Sequence, residues 1–239
     1  MSETPVLIVG AGPTGLVLAL WLTRCGVAVR LIDKTVEAGT TSRALAVQAR
    51  TLEFYRQLGI DQEVVAGGVK ISNLNLWVRG RIAARVSLED IGQGLSPFSF
   101  VLVFPQDAHE RLLIKHLVEL GVRVERQTEL LDFRSDEKGV EARLKLPNGS
   151  QEIVATPFLF GCDGASSSVR EISGIGFPRG TYSGRFYVAD VEARGPATDD
   201  QLHADLEGAD FALVFPLKEK RTHSTRWSNR GGEGPSADV

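Results

Sequence analysis

The feature that most narrows the choice of folds is a junction near the amino terminus. There the apolar run Val6-Leu7-Ile8-Val9 passes directly into Gly10-Ala11-Gly12-Pro13-Thr14-Gly15. A short run without polar alternation is the pattern of a strand buried on both faces, as in parallel sheets. Leu16 to Arg24 then reads as a helix stopped by Gly26, and Val27 to Ile32 is a second strand-like run ending on Asp33. Strand, helix and strand within about thirty residues make a βαβ unit, whose crossover sets the two strands parallel. The expected fold class is α/β, built on a Rossmann-like parallel sheet.

The glycines in this junction each have a physical use. Gly10 allows the tight turn, Gly12 lets backbone approach a pyrophosphate, and Gly15 lets helix and strand pack closely, with Pro13 between them. The helix start offers unpaired N–H groups and a partial positive charge to an anion. Asp33 lies eighteen residues beyond Gly15, where a carboxylate accepts hydrogen bonds from a ribose diol and repels a 2′-phosphate. That argues against NADP in this pocket. The motif alone leaves FAD and NAD both open, since each presents an ADP half. The bland alternative is a glycine-rich turn that binds nothing.

Further along, Gln48 to Leu58 is amphipathic at helical spacing, and Leu74 to Val78 with Ile82 to Val86 reads as a hairpin leaving the α/β layer. Val101 to Phe104 is a strand and Gln106 to Leu120 a helix. Three short strands near 128–134, 140–146 and 151–155 form a β-meander inserted into the nucleotide domain, with Lys138-Gly139 and Asn148-Gly149 as turns. Phe158-Leu159-Phe160 is another buried-type strand running into Gly161-Cys162-Asp163-Gly164. Arg185 to Ala193 and Phe211 to Leu217 are strands away from the first layer. The expected division is residues 1–73 and 101–176 as the nucleotide-binding domain, and 74–100 with 177–220 as part of a second, β-rich substrate domain. From Arg221 onward apolar residues almost vanish, so 221–239 is expected to be a flexible tail.

Four features besides the glycine motif occur in order: Ser42-Arg43-Ala44, Arg50 within Arg50-Thr51-Leu52-Glu53, Pro105-Gln106 opening a helix, and Gly161-Cys162-Asp163-Gly164 before Ser167, Val169 and Arg170. On these residues, over about positions 4 to 217, the sequence resembles the flavin-dependent aromatic monooxygenases, the para-hydroxybenzoate hydroxylase and phenol hydroxylase group. The segment of form GxDGxxSxVR is the most discriminating of them. The resemblance implies FAD held by Gly10, Gly12, Pro13, Gly15 and Asp33. It implies Arg43 near the pyrophosphate or ribityl chain, Gln106 on the ribityl hydroxyls, and Asp163 with Gly164 at the ribityl portion. Asp163 and Arg170 would also handle NADH or NADPH. Each has a plainer reading: Arg43 a solvated loop cation, Gln106 a helix-start residue making local bonds, Arg170 an exposed helical charge, Asp163-Gly164 a turn pair. Trp77, Phe98, Phe100, Phe186 and Tyr187 line an aromatic pocket or merely fill a core.

The activity implied is hydroxylation of a phenolic or other aromatic small molecule, with NAD(P)H reducing FAD and O2 as co-substrate. No residue is singled out as the catalytic base. The sequence departs from the family in two ways. Ser166 stands where a longer side chain is common, and the family's later Gly-Asp motif, expected well beyond a point corresponding to residue 217, is absent. A truncated member is therefore expected, with two alternatives: an FAD-binding fragment without turnover, or a related flavin reductase or oxidase.

Charge and composition exclude other classes. Lys+Arg 27 against Asp+Glu 30 gives a net −3 with no like-charged block, so no nucleic-acid partner is expected. With 43% hydrophobic and 24% charged residues the chain buries a core. Cys25 and Cys162 stand far apart, which excludes a disulfide framework or a cysteine zinc site and suits a reducing cytoplasm. His109 and His116 are seven apart and His203 and His223 stand alone, so no metal is expected. Residues 4–23 lack charge, but Pro5, Gly10, Gly12, Pro13 and Gly15 interrupt them, and neither a membrane span nor a signal peptide is expected. The oligomeric state is not legible.

Overall fold

The computed structural model describes residues 2–39, 45–89, 91–178, 185–207, 210–218 and 222–228. Its contacts divide the chain into two units: Met1–Thr41 with Gln106–Pro178, and Ser42–Pro105 with Arg179–Val239.

In the first unit the strands Phe158–Gly161, Val6–Val9, Val29–Asp33 and Val124–Arg126 lie side by side in that order, every pair parallel. Val6–Val9 is an interior strand and all four of its residues are buried, which is why its sequence shows no alternation. Successive side chains still point to opposite faces. Leu7, Val9 and Ile32 pack with Leu130, Ala142, Leu144 and Val154 of the meander. Ile8 and Leu31 therefore face the other way, where the helices Pro13–Arg24 and Gln106–Glu119 pack on each other and bury Leu16, Leu20, Leu113 and Leu117.

The meander is the antiparallel set Glu129–Asp136, Gly139–Lys145 and Gln151–Thr156, extended by Ser2–Glu3 as a parallel edge. One cation joins it to the parallel sheet. Arg30 grips Glu125 through Nε and Nη2 at 2.9 and 2.8 Å, and Glu152 through Nη1 and Nη2 at 3.1 and 2.8 Å.

In the second unit six strands run in the order Arg185–Val191, Thr222–Ser228, Asp210–Pro216, Leu202–Glu207, Asn73–Val78 and Arg81–Ser87. Only the pairing of Leu202–Glu207 with Asn73–Val78 is parallel. A smaller sheet joins Ala46–Val47, Val101–Val103 and Val69–Ile71, and the helices Ala49–Gln57 and Asp61–Gly67 belong to this unit. Leu45, Ile71, Leu88, Val103 and Leu217 share one buried cluster.

Two expectations differ from this. Residues 42–73 and 101–105, assigned by pattern to the nucleotide domain, group with the second unit, because Val101–Val103 pairs antiparallel with 46–47 and 69–71 instead of joining the parallel sheet. And Thr222–Ser228, expected in a tail, is an interior strand, in register with Arg185–Val191 on one side and with Phe211–Pro216 on the other. A strand flanked on both sides is held by backbone hydrogen bonds, and these leave no trace in an apolar count. The other residues of 221–239 lie outside the described residues.

Candidate functional site

At the end of Val6–Val9 the chain turns through Gly10 at φ +103°. A Cβ there would meet the carbonyl carbon and oxygen of Cys162 at 2.5 Å, and one on Gly15 would meet the Gly10 oxygen at 1.9 Å. Both positions are closed to any side chain. Gly12 is different: its φ of −74° suits any residue, and apart from its own chain neighbours no heavy atom lies within 4 Å of the place its Cβ would take. Open space thus lies beside the start of Pro13–Arg24, where Pro13 fills the first turn and no side chain caps the helix.

Asp33 ends the next strand with its side chain 14% exposed. Its Oδ2 accepts the Ala11 backbone N–H at 2.7 Å. Its Oδ1 accepts the Thr35 N–H at 2.8 Å and the Thr35 hydroxyl at 2.6 Å, and lies 3.7 Å from Nη1 of Arg126. Burial raises the carboxyl's pKa, but the Thr35 and Ala11 hydrogen bonds and the Arg126 charge outweigh it and hold Asp33 below the ordinary value of 3.8.

The second glycine motif sits against the first. Cys162 donates its N–H to the Val9 carbonyl at 2.7 Å, and burial, then the neighbouring Asp163 charge, pushes its thiol pKa up. The Asp163 carboxylate turns into its own loop. Oδ1 accepts the Ser167 hydroxyl at 2.6 Å, and Oδ2 accepts the N–H groups of Ser168 and Val169 at 2.7 and 3.3 Å. Ser167 in turn caps the helix Ser168–Ile172 by accepting from the Arg170 N–H. Gly164 takes φ +77°, and Arg170 reaches back to the carbonyls of Gly164 and Ala165 at 3.4 and 3.1 Å while lying 4.7 Å above the Phe177 ring. The side chains of Asp163 and Arg170 therefore brace this turn.

Gln106 opens the helix Gln106–Glu119, and its Nε2 donates to Oε1 of the buried Glu110 at 2.8 Å. That bond assigns the amide nitrogen to Glu110. Arg43 lies outside the described residues.

Sequence reasoning missed Thr35, Arg126 and Glu110. None belongs to a glycine motif, and only the pairing of Val124–Arg126 with Val29–Asp33 brings Arg126 opposite Asp33. In the second unit, Trp77 Nε1 donates to Nδ1 of His203 at 2.8 Å, so Nε2 carries the imidazole proton and donates to Asp199 Oδ1 at 2.7 Å. Trp77 is thus part of a polar chain on the sheet. Phe98 and Phe100 meet edge to face; the side chain of Phe186 is outside the described set. Among the described residues no group of three or more His, Cys, Asp or Glu could hold a metal, and no helix is long and apolar enough to cross a membrane.

The sequence model of a family described as FAD binding domain matches residues 3–230. The 6-methylpretetramide 4-monooxygenase of Streptomyces rimosus is 36% identical over 95% of this chain and 41% of its own length. The pentachlorophenol 4-monooxygenase of Sphingobium chlorophenolicum is 31% identical over 90% and 40%. Among solved structures, the flavin-dependent monooxygenase PieE, in complex with FAD and substrate, superposes with a TM-score of 0.85 at 27% identity, covering 99% of this chain and 45% of that one. The chain spans about two-fifths of the length of these curated relatives.

Proposed function

Because this chain belongs to the FAD-binding domain family, we propose that it forms the cofactor-holding part of an FAD-dependent monooxygenase acting on a phenolic or other aromatic small molecule. The observation that carries this reading is the open space over Gly12 beside an uncapped helix start, with an ionised Asp33 held at the end of the adjacent strand. A pyrophosphate fits the first by charge and lack of obstruction, and an adenosine ribose fits the second by hydrogen bonding.

In this reading Gly12 and the first turn at Pro13 bind the pyrophosphate, with Gly10 and Gly15 shaping the turn. Asp33 accepts from the ribose. Gln106, its Nε2 engaged by Glu110, presents its carbonyl oxygen to ribityl hydroxyls. Asp163, Gly164 and Arg170 hold a backbone wall beside Gly10. The redox chemistry would come from bound FAD, with NADH or NADPH as the reductant and O2 as co-substrate. The protein's share is to orient it and to exclude water. Neither nucleic acid nor a membrane is a partner, and the site of action is the cytoplasm.

The test is direct. Purified chain titrated with FAD should show shifted flavin absorbance and quenched flavin fluorescence, and FMN should bind more weakly because it lacks the adenosine. No association with FAD sinks the proposal. A second reading is that these residues hold FAD without turnover of their own. Phenol-stimulated NAD(P)H oxidation separates the two. Hydroxylated product carrying label from 18O2 separates a hydroxylase from a flavin reductase or oxidase.

A further inference from the structure

We propose that Arg126, acting through Thr35, is a positioning residue that dedicates one oxygen of Asp33 to the ribose 2′-hydroxyl of the bound dinucleotide; this rests on the reading of Asp33 as the ribose acceptor. Lone pairs set the limit, since a carboxylate oxygen takes about two strong hydrogen bonds. Oδ1 of Asp33 is filled by the Thr35 N–H and the Thr35 hydroxyl, at 2.8 and 2.6 Å, with the Arg126 charge 3.7 Å away. Oδ2 accepts a single N–H, that of Ala11. Among the described residues the remaining acceptor site is therefore on Oδ2, the oxygen already tied to the glycine turn.

Arg126 controls which oxygen that is. Its Nη1 donates to Thr35 Oγ1 at 3.0 Å and to the Glu37 carbonyl at 3.4 Å. A threonine hydroxyl has one proton. With the guanidinium donating into its oxygen, that proton goes to Asp33 Oδ1, the shorter of its two acceptor contacts at 2.6 Å against 2.8 Å to the Glu37 carbonyl. Donor, hydroxyl and carboxylate form one polarised chain, each bond strengthening the next. The backbone beneath is pinned separately, since Gln127 and Thr128 donate their N–H groups to the carbonyls of Thr35 and Asp33 at 3.1 and 3.0 Å. Removing the guanidinium therefore frees the Thr35 hydroxyl to turn to the Glu37 carbonyl and loosens one of the three hydrogen bonds that hold Asp33, while the strand pairing stays in place.

The test is calorimetric titration of the whole chain with ADP and with 2′-deoxy-ADP. Wild type should prefer ADP by about tenfold or more, the worth of a hydrogen bond to a charged group. Arg126→Gln should collapse that ratio towards one by weakening ADP while leaving 2′-deoxy-ADP nearly unchanged. Arg126→Lys should restore part of it, and Thr35→Val, which cuts the chain without removing a charge, should collapse it again. An equal loss for both nucleotides in Arg126→Gln, or no change in either, overturns the inference, because a structural or direct-contact role does not discriminate the 2′-hydroxyl. If Arg126→Gln does not fold, Thr35→Val decides, and an unchanged ratio there refutes the proposal. A wild type that binds ADP without any preference removes Asp33 as ribose acceptor, and the inference falls with that reading. That outcome is recognisable because the failure lies in the unmutated protein.

Discussion

Gly10 and Cys162 lie so close that a single added methyl group on Gly10 would sit 2.5 Å from the Cys162 carbonyl. Two glycine motifs about 150 residues apart in sequence are thereby one structure, held by the bond from the Cys162 N–H to the Val9 carbonyl. Their order along the chain has a spatial cause: parallel pairing of Phe158–Gly161 with Val6–Val9 ends both strands at the same edge, and open α/β sheets take ligands at that edge.

Glycines in one turn should respond in opposite ways. Gly15→Ala forces a Cβ to 1.9 Å from the Gly10 oxygen and should destabilise the first unit by about 3 kcal/mol or more. Gly12→Ala meets no atom and no backbone strain. It should leave the urea midpoint unchanged and lower FAD affinity at least about tenfold, because the methyl occupies the space assigned to the pyrophosphate. Undiminished affinity in the Gly12→Ala variant would remove the anion from that place.

Asp163 is expected to matter first as a brace. Asp163→Ala leaves the N–H groups of Ser168 and Val169 and the Ser167 hydroxyl without their acceptor. It should cost about 1–2 kcal/mol in urea unfolding, in the range of a lost helix cap. Asp163→Asn keeps an acceptor and should cost less. Equal stability of the alanine variant and wild type would contradict the bracing role.

His109 predicts a pH dependence. Burial holds its pKa down to about 4, against an ordinary 6.5. Between those values the unfolded chain binds a proton that the folded chain does not, so stability should fall as the pH is lowered from 6.5 to 4, by about 2–3 kcal/mol in all. Asp33 works in a lower window: its folded pKa is depressed, so its contribution is lost only as the pH falls below the ordinary 3.8. His109→Gln should flatten the slope between pH 4 and 6.5, and an unchanged slope would assign it elsewhere.

Arg30 should hold two layers together. Its side chain is 16% exposed and Glu125 is 41% exposed, so solvent weakens part of the network. Arg30→Met is expected to cost about 2 kcal/mol, less than a fully buried pair would, by leaving Glu125 and Glu152 without their cation. Adding Glu152→Leu to that variant should recover part of the loss. A loss that grows instead would show that the pairing is not the source of the effect.

The second unit carries its own test. His203 is 2% exposed and its Nδ1 is engaged by Trp77. Trp77→Phe strands that nitrogen away from water and should cost about 1–3 kcal/mol, with a larger effect on hydrogen exchange in Leu202–Glu207 than in Val6–Val9. Uniform loss of protection across both units would argue against a local role.

Much of the candidate site was legible because the chemistry is local. Gly10, Gly12 and Gly15 are meaningful at fixed spacing after a strand, and Asp33 is meaningful at the end of the next one. Thr35, Arg126 and Glu110 were not legible, since a lone arginine or threonine has no pattern until a neighbouring strand lies beside it. The roles of Asp163 and Arg170 were legible only in part: the motif marks their place, while their hydrogen bonds turn both side chains into the turn itself.

By itself the sequence determined the βαβ start, the buried centre of the parallel sheet, the meander and the order of the motifs, because each rests on short-range periodicity or on a glycine that no other residue replaces. Only the tertiary structure decided that residues 42–105 group with the second unit, that Thr222–Ser228 is an interior strand, and that Arg126 stands beside Asp33. Those outcomes depend on which distant strands share backbone hydrogen bonds. Every non-proline residue carries the same backbone donor and acceptor, so that choice is not encoded in any one segment.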